Sequence, residues 1–299
     1  MRFLRAIRAR LMHCTKGTQT VRRACSAVLL TVACIGPNQL AAQNVSPTAA
    51  ESRPPELAAR LRLATAAVEA NPRDKDALGS RAGLYADSGE HELAIADYDA
   101  LLQLEPERAE AYDQRGSQHF MLGHVRQSIE DFNRFIKLRP QQEPGHWKRG
   151  ISYYYAGRYD EGRRQFEGYQ TVADNDVENA VWRYLCMARG QGAAAARDAI
   201  LKIRRDTRVP MMEVYDLYRG NATSDDVLAV ARNGAPTPEA LNARLFYAHL
   251  YLGLYYEASG DAARAREHIT TAAEKHKIGH YMWNVADVHA RLLRRVPQP

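Results

Sequence analysis

The chain has 299 residues, with 41 Lys and Arg against 35 Asp and Glu and only four cysteines, which is length enough for a large core and too little cysteine for a disulfide scaffold. The excess of base is confined to the first 42 residues, which hold seven Lys and Arg and no acid; without them 34 bases face 35 acids, a net charge of −1. A domain-wide basic surface of the kind that binds phosphates is therefore excluded, and no nucleic acid partner is expected.

Residues 1–42 read as an export signal. Arg2, Arg5, Arg8, Arg10, Lys16, Arg22 and Arg23 precede an apolar run at 24–35, and the small residues Ala41 and Ala42 follow it, the order of a secretory leader. The run is too short to span a bilayer stably, so cleavage after Ala42 and a periplasmic or secreted product are expected. Thr31-Val32-Ala33-Cys34 is a weak lipobox, and only a lipid on Cys34 would anchor the protein to a membrane. Cys14, Cys25 and Cys34 belong to the leader, leaving Cys186 in an apolar run as a buried structural thiol with no neighbouring base to activate it. Residues 43–54 are a polar, flexible linker. Residues 55–74 are a capping helix, apolar at Leu57, Leu61, Leu63, Ala64 and Val68 and ended by Asn71-Pro72.

From 75 onwards the chain repeats itself. Arg81, Arg115 and Arg149 lie 34 residues apart, as do Tyr85, His119 and Tyr153, Gly89, Gly123 and Gly157, Tyr98, Phe132 and Phe166, and Pro72, Pro106 and Pro140. A period of this length marks an array of helical hairpins. Small Ala82, Gly116 and Gly150 face Ala94, Ser128 and Gly162, so the two helices of each unit can approach closely. The glycines at 89, 123 and 157 end each first helix, and the recurring proline ends each second one. These positions resemble the tetratricopeptide repeat (TPR), with Leu78, Tyr112 and His146 at its tryptophan position. The resemblance implies an all-α, TPR-type right-handed superhelix, an α-solenoid of eleven or twelve antiparallel helices without a sheet.

The units fall at 75–108, 109–142 and 143–176, the third degenerate because Asp174 replaces the terminal proline. Residues 177–240 are irregular helical pairs: one helix from Val181, a second over Ala193 to Ile203, then two short helices parted by Arg219-Gly220-Asn221-Ala222-Thr223, with Thr223 or Ser224 as cap. A fourth repeat returns at 241–279, where Gly253, Tyr256, Gly260, Ala265 and Ile269 keep the pattern. Residues 280–299 are a C-terminal capping helix and tail. This order, with Lys148-Arg149-Gly150-Ile151, Tyr218-Arg219-Gly220-Asn221 and Tyr251-Leu252-Gly253, is similar to the NlpI-type TPR lipoproteins of bacterial envelopes. That resemblance implies a non-catalytic adaptor that dimerises and brings peptidoglycan hydrolases and a processing protease together.

The function expected is thus a protein-interaction scaffold, not an enzyme, with no cofactor, a protein or peptide partner in the envelope, and a homodimer as a further association. One alternative is a self-assembling structural protein. Another is a metal-dependent enzyme using His276 and His280, weakened by the absence of a Glu between them and of a third ligand on their face. In TPR arrays the first helices line the concave surface, which here offers Asp113, Ser117 and Phe120, then Trp147, Ile151 and Tyr154. This cluster either docks a partner or is covered by the chain's own distal helices, 181–188 or 281–293. A carboxylate clamp, with Lys and Asn at repeat positions 5 and 9, is not expected, because those positions hold Gly79 and Gly83, Asp113 and Ser117, Trp147 and Ile151.

Overall fold

The computed structural model describes residues 53–235 and 237–295; the export signal and most of the linker lie outside the described residues. Within them the chain forms α-helices and one 3-10 turn at Pro140–Gln142, with no strand. The cap is α1, Pro55–Ala70. Three hairpins follow: α2, Lys75–Asp87, with α3, His91–Leu104; α4, Ala109–Met121, with α5, Val125–Leu138; and α6, Trp147–Tyr155, with α7, Tyr159–Tyr169.

Each hairpin turns at a left-handed glycine: φ is +76° at Gly89, +76° at Gly123 and +72° at Gly157. In the first turn the Glu90 N–H donates to the Tyr85 carbonyl at 2.9 Å and the Gly89 N–H to that of Ala86 at 3.0 Å. The pair is a Schellman cap, which satisfies two carbonyls the helix end would otherwise orphan. His124 and Gly123 repeat it on His119 and Phe120, as do Arg158 and Gly157 on Tyr153 and Tyr154. Side-chain packing then fixes how near the helices lie. A Cβ on Gly116 would meet the Phe132 ring at 2.9 Å, and one on Gly150 the Phe166 ring at 2.6 Å, so the 34-residue spacing of glycine and aromatic is a steric fit.

The repeating arginines tie each hairpin to itself and, from Arg115 on, to its predecessor. Arg81 donates twice to Asp97, at 2.7 and 2.6 Å. Arg115 does the same to Asp131 and also reaches back to Asp99 at 2.5 Å. Arg149 bonds Gln165 at 2.7 Å and reaches back to Asn133 at 3.2 Å. Arg183, one further interval along, donates to the Ala199 carbonyl at 2.6 Å and back to Glu167 at 3.0 Å. The repeat therefore extends into the unit that begins at α8, Val177–Gln191.

Beyond α8 the regularity breaks. Helix α9 is only Ala193–Asp198, so the helix expected through Ile203 stops five residues early. The backbone of the following segment finds partners outside a helix: Asn175 Oδ1 accepts from the Arg204 and Arg205 N–H groups, and the Tyr215 hydroxyl accepts from the Ile203 N–H while donating to the Leu201 carbonyl. A cis bond at Val209-Pro210 leads into α10, Met211–Arg219. Gly220, at φ +83°, turns the chain into α11, Ser224–Arg232. The cap of α11 is Thr223, in a reciprocal capping box with Asp226. The long α12, Pro238–Ala258, and α13, Ala262–Lys275, form the last hairpin, and α14, Tyr281–Arg294, closes the chain. The total among the described residues is fourteen α-helices rather than eleven or twelve: the cap, four hairpins, the four middle helices and the terminal helix each form.

Two cores result. A small one, from Val68 to Ala111, lies under the first hairpin. A large one runs from Phe120 to Leu293 and joins the second and third hairpins to α8, α10, α12 and α14. The ends of this second core are about 170 residues apart in sequence, so the C-terminal helix completes what the second repeat begins.

Candidate functional site

The six concave residues do come together, on α4 and α6, but they are not an open groove. Phe120 and Ile151 are fully buried, Ser117 and Tyr154 are 5% and 6% exposed, and the lid is α14. Tyr281, at its first position, stacks on Phe120 with centroids 5.8 Å apart and meets Trp147 edge-on at 5.2 Å. Further along, His289 Nδ1 is hydrogen-bonded to the Tyr155 hydroxyl at 2.9 Å, and Arg291 donates to the Met121 carbonyl. Of the two arrangements open to the sequence, the structure adopts the one in which residues 281–293 fold back over the cluster. The reason is apolar area: Met282, Val285, Ala286, Val288 and Leu293 form one stripe of α14, each at most 4% exposed, and a helix with such a stripe buries it where apolar side chains already converge.

The polar members of the six are engaged as well. Asp113 accepts from His146 Nε2 at 3.0 Å and from the Lys148 ammonium at 2.5 Å. Burial opposes its charge, but those two partners outweigh burial and hold the carboxyl below its ordinary value. Ser117 donates to the Asp113 carbonyl at 2.9 Å. Tyr154 packs edge-on against Trp182 at 5.4 Å, and its oxygen accepts from Arg189 Nε at 3.2 Å. Arg189 in turn pairs with Glu257 at 2.8 Å, and His289 Nε2 lies 3.4 Å from the same carboxylate. This buried network pins α6, α8, α12 and α14 to one another.

Trp147 and Asp113 are the two of the six that stay partly accessible, and Trp147 borders a half-open cavity of about 190 Å³. Phe166, Tyr169 and Trp182 form its other aromatic walls, while His280, stacked on Trp147 at 6.5 Å with 13° between the planes, sits at the rim. The polar end is built by Asp176, Glu178 and Arg208. Asp176 caps α8, accepting from the Glu178 N–H. Glu178 accepts from the Tyr251 hydroxyl and from Arg208 Nη1, the latter at 2.6 Å. Burial pushes the Glu178 carboxyl up to about 7, against the pull of Arg208 and Tyr251. The sequence gives no hint of this grouping, since Glu178 and Tyr251 are 73 residues apart.

The histidines proposed as metal ligands do not converge. His276 Nδ1 is 3.0 Å from Asn242 Oδ1, His280 Nδ1 accepts from the Met282 N–H at the start of α14, and His289 is in the Tyr155 contact already described. The metal-enzyme alternative on His276 and His280 is thereby corrected: the turn at Gly279 sends the two rings to different neighbours. Cys186 is buried, with its thiol pushed upward by desolvation, as its apolar run implies.

The tetratricopeptide-repeat family model matches residues 82–146. That stretch is similar to tetratricopeptide repeats. No curated protein matches the chain. Among solved structures, MamA is 21% identical over 48% of this chain and 78% of its own, with a TM-score of 0.45. A tetratricopeptide repeat protein from Parabacteroides merdae is 20% identical, covering 80% of this chain and 78% of its own, with a TM-score of 0.48. YrrB, described as a tetratricopeptide repeat protein with an unusual peptide-binding site, is 16% identical over 78% of this chain and 99% of its own, at a TM-score of 0.41.

Proposed function

We propose that this chain is a non-catalytic interaction scaffold of the cell envelope, an adaptor that holds other envelope proteins rather than transforming a substrate. The observation that carries the reading is the hairpin array itself: tetratricopeptide repeats over 82–146 build a rigid surface that binds protein or peptide. The basic-then-apolar leader at 1–42 supports export. The connector at Tyr218 to Asn221 supports the NlpI-like assignment, with a peptidoglycan hydrolase or a processing protease as the partner class. Because α14 fills the concave groove beside Phe120 and Ile151, partner contact falls to the cleft at Trp147 and to the uncovered first repeat. There the concave side is bare at Gly83, where an added Cβ would meet nothing within 4 Å.

The test is affinity capture from an envelope extract with the mature chain as bait, followed by mass spectrometry. Enrichment of a hydrolase or protease supports the adaptor; recovery of the bait alone overturns it in favour of self-assembly, which sedimentation of the purified protein then measures as a homodimer or larger species.

A further inference from the structure

The polar end of the Trp147 cavity is over-supplied with acid. Three carboxylates meet at the N-terminus of α8: Asp176, Glu178 and Asp206, the last accepting from the Val177 N–H. Among the described residues the ion pairs of all three go to one base, Arg208, whose Nη1 is 2.6 Å from Glu178 and whose Nη2 is 2.6 Å from Asp176 and 2.5 Å from Asp206. With every carboxyl ionised the cluster carries a net charge of −2. The other groups facing Glu178 are neutral: the phenols of Tyr251, Tyr247 and Tyr169, and His280, which burial and Arg208 hold in its uncharged form.

The rest of the cavity suits the same kind of guest. Its walls are Trp147, Trp182, Phe166 and Tyr169, and aromatic faces attract cations while accepting an aliphatic stem. Its volume of about 190 Å³ holds one long side chain and not a helix. An anion is disfavoured, because the guanidinium donors of Arg208 are already committed to carboxylates.

We infer that this cavity is a docking site for a single cationic side chain, lysine or arginine, presented by an extended segment of a protein partner. The inference rests on the scaffold reading and gives it a recognition chemistry. A bound ammonium supplies the charge that three carboxylates and one arginine lack, and it favours the ionised form of Glu178, so binding strengthens as pH rises through about 7.

Calorimetry on the mature protein tests it with three probes: an acetylated, amidated hexapeptide with one central lysine, the same peptide with norleucine, and n-butylammonium. The lysine peptide is expected to bind at least tenfold more tightly than the norleucine peptide at pH 8, and to weaken severalfold at pH 6. Asp176→Asn, which retains the helix cap, and Glu178→Gln are each expected to weaken it about tenfold, with circular dichroism checking that both variants fold. Equal binding of the lysine and norleucine peptides, or no binding of either, overturns the inference on the wild-type protein alone. Binding of n-butylammonium without the peptide overturns the peptide source. If capture finds a hydrolase or protease while the lysine peptide fails, the cation site is wrong and the scaffold stands; if the peptide binds and capture returns only bait, the converse holds.

Discussion

A Cβ on Gly150 would sit 2.6 Å from Cζ of Phe166, and one on Gly253 2.6 Å from Cγ1 of Ile269, so the eighth position is closed to any side chain in these units, while the first unit admits only the methyl of Ala82. Replacing Gly116 by Leu is expected to overpack the second hairpin and cost about 1 to 3 kcal/mol, read as a lower melting temperature; an unchanged one would show that the glycine is not at the helix contact. These contacts were legible because glycine and aromatic recur at one interval. The arginine ladder was half legible: Arg81, Arg115 and Arg149 are spaced in register, and so are their partners Asp97, Asp131 and Gln165. Arg183 follows Arg149 by the same 34 residues and shows that the repeat outlasts the loss of its terminal proline.

At the scale of single helices, α14 decides what the groove can do. Trp147 and Tyr154 pack against Tyr281 and Trp182, so substituting both by Ala is expected to remove several kcal/mol of stability and to broaden or lower the thermal transition. A double variant that melts like the wild type would mean that α14 and α8 do not cover them in solution. The clamp positions yield a second expectation for these helices. Asp113 puts a carboxylate where a clamp places a cation, and Lys148 is already committed to it at 2.5 Å. A Glu-Glu-Val-Asp peptide with a free C-terminus should therefore give no heat of binding; micromolar affinity in a calorimeter would refute this.

For the molecule as a whole, buried imidazoles set the response to acid. Desolvation lowers His119, His146, His268 and His289 below their ordinary value and His249 to about 4. The unfolded chain takes up protons near 6.5 where the folded one does not, so stability present at neutral pH is lost as pH falls through 6.5 towards 4. Glu178, raised to about 7, runs the opposite way, but it is one group against five. The melting temperature is expected to be lower at pH 5 than at pH 7.5, and a rise would contradict this balance. By itself the sequence determined the repeat, the all-helical fold and the turns at Gly89, Gly123, Gly157 and Gly260, because those depend on residues within one hairpin. Only the tertiary structure decided that Tyr281 stacks on Phe120, that Glu178 meets Tyr251 and Arg208, and that the groove is filled. Such contacts depend on where the array's curvature carries α14 and α12, which adds up small rotations over every unit and leaves no periodic mark on the chain.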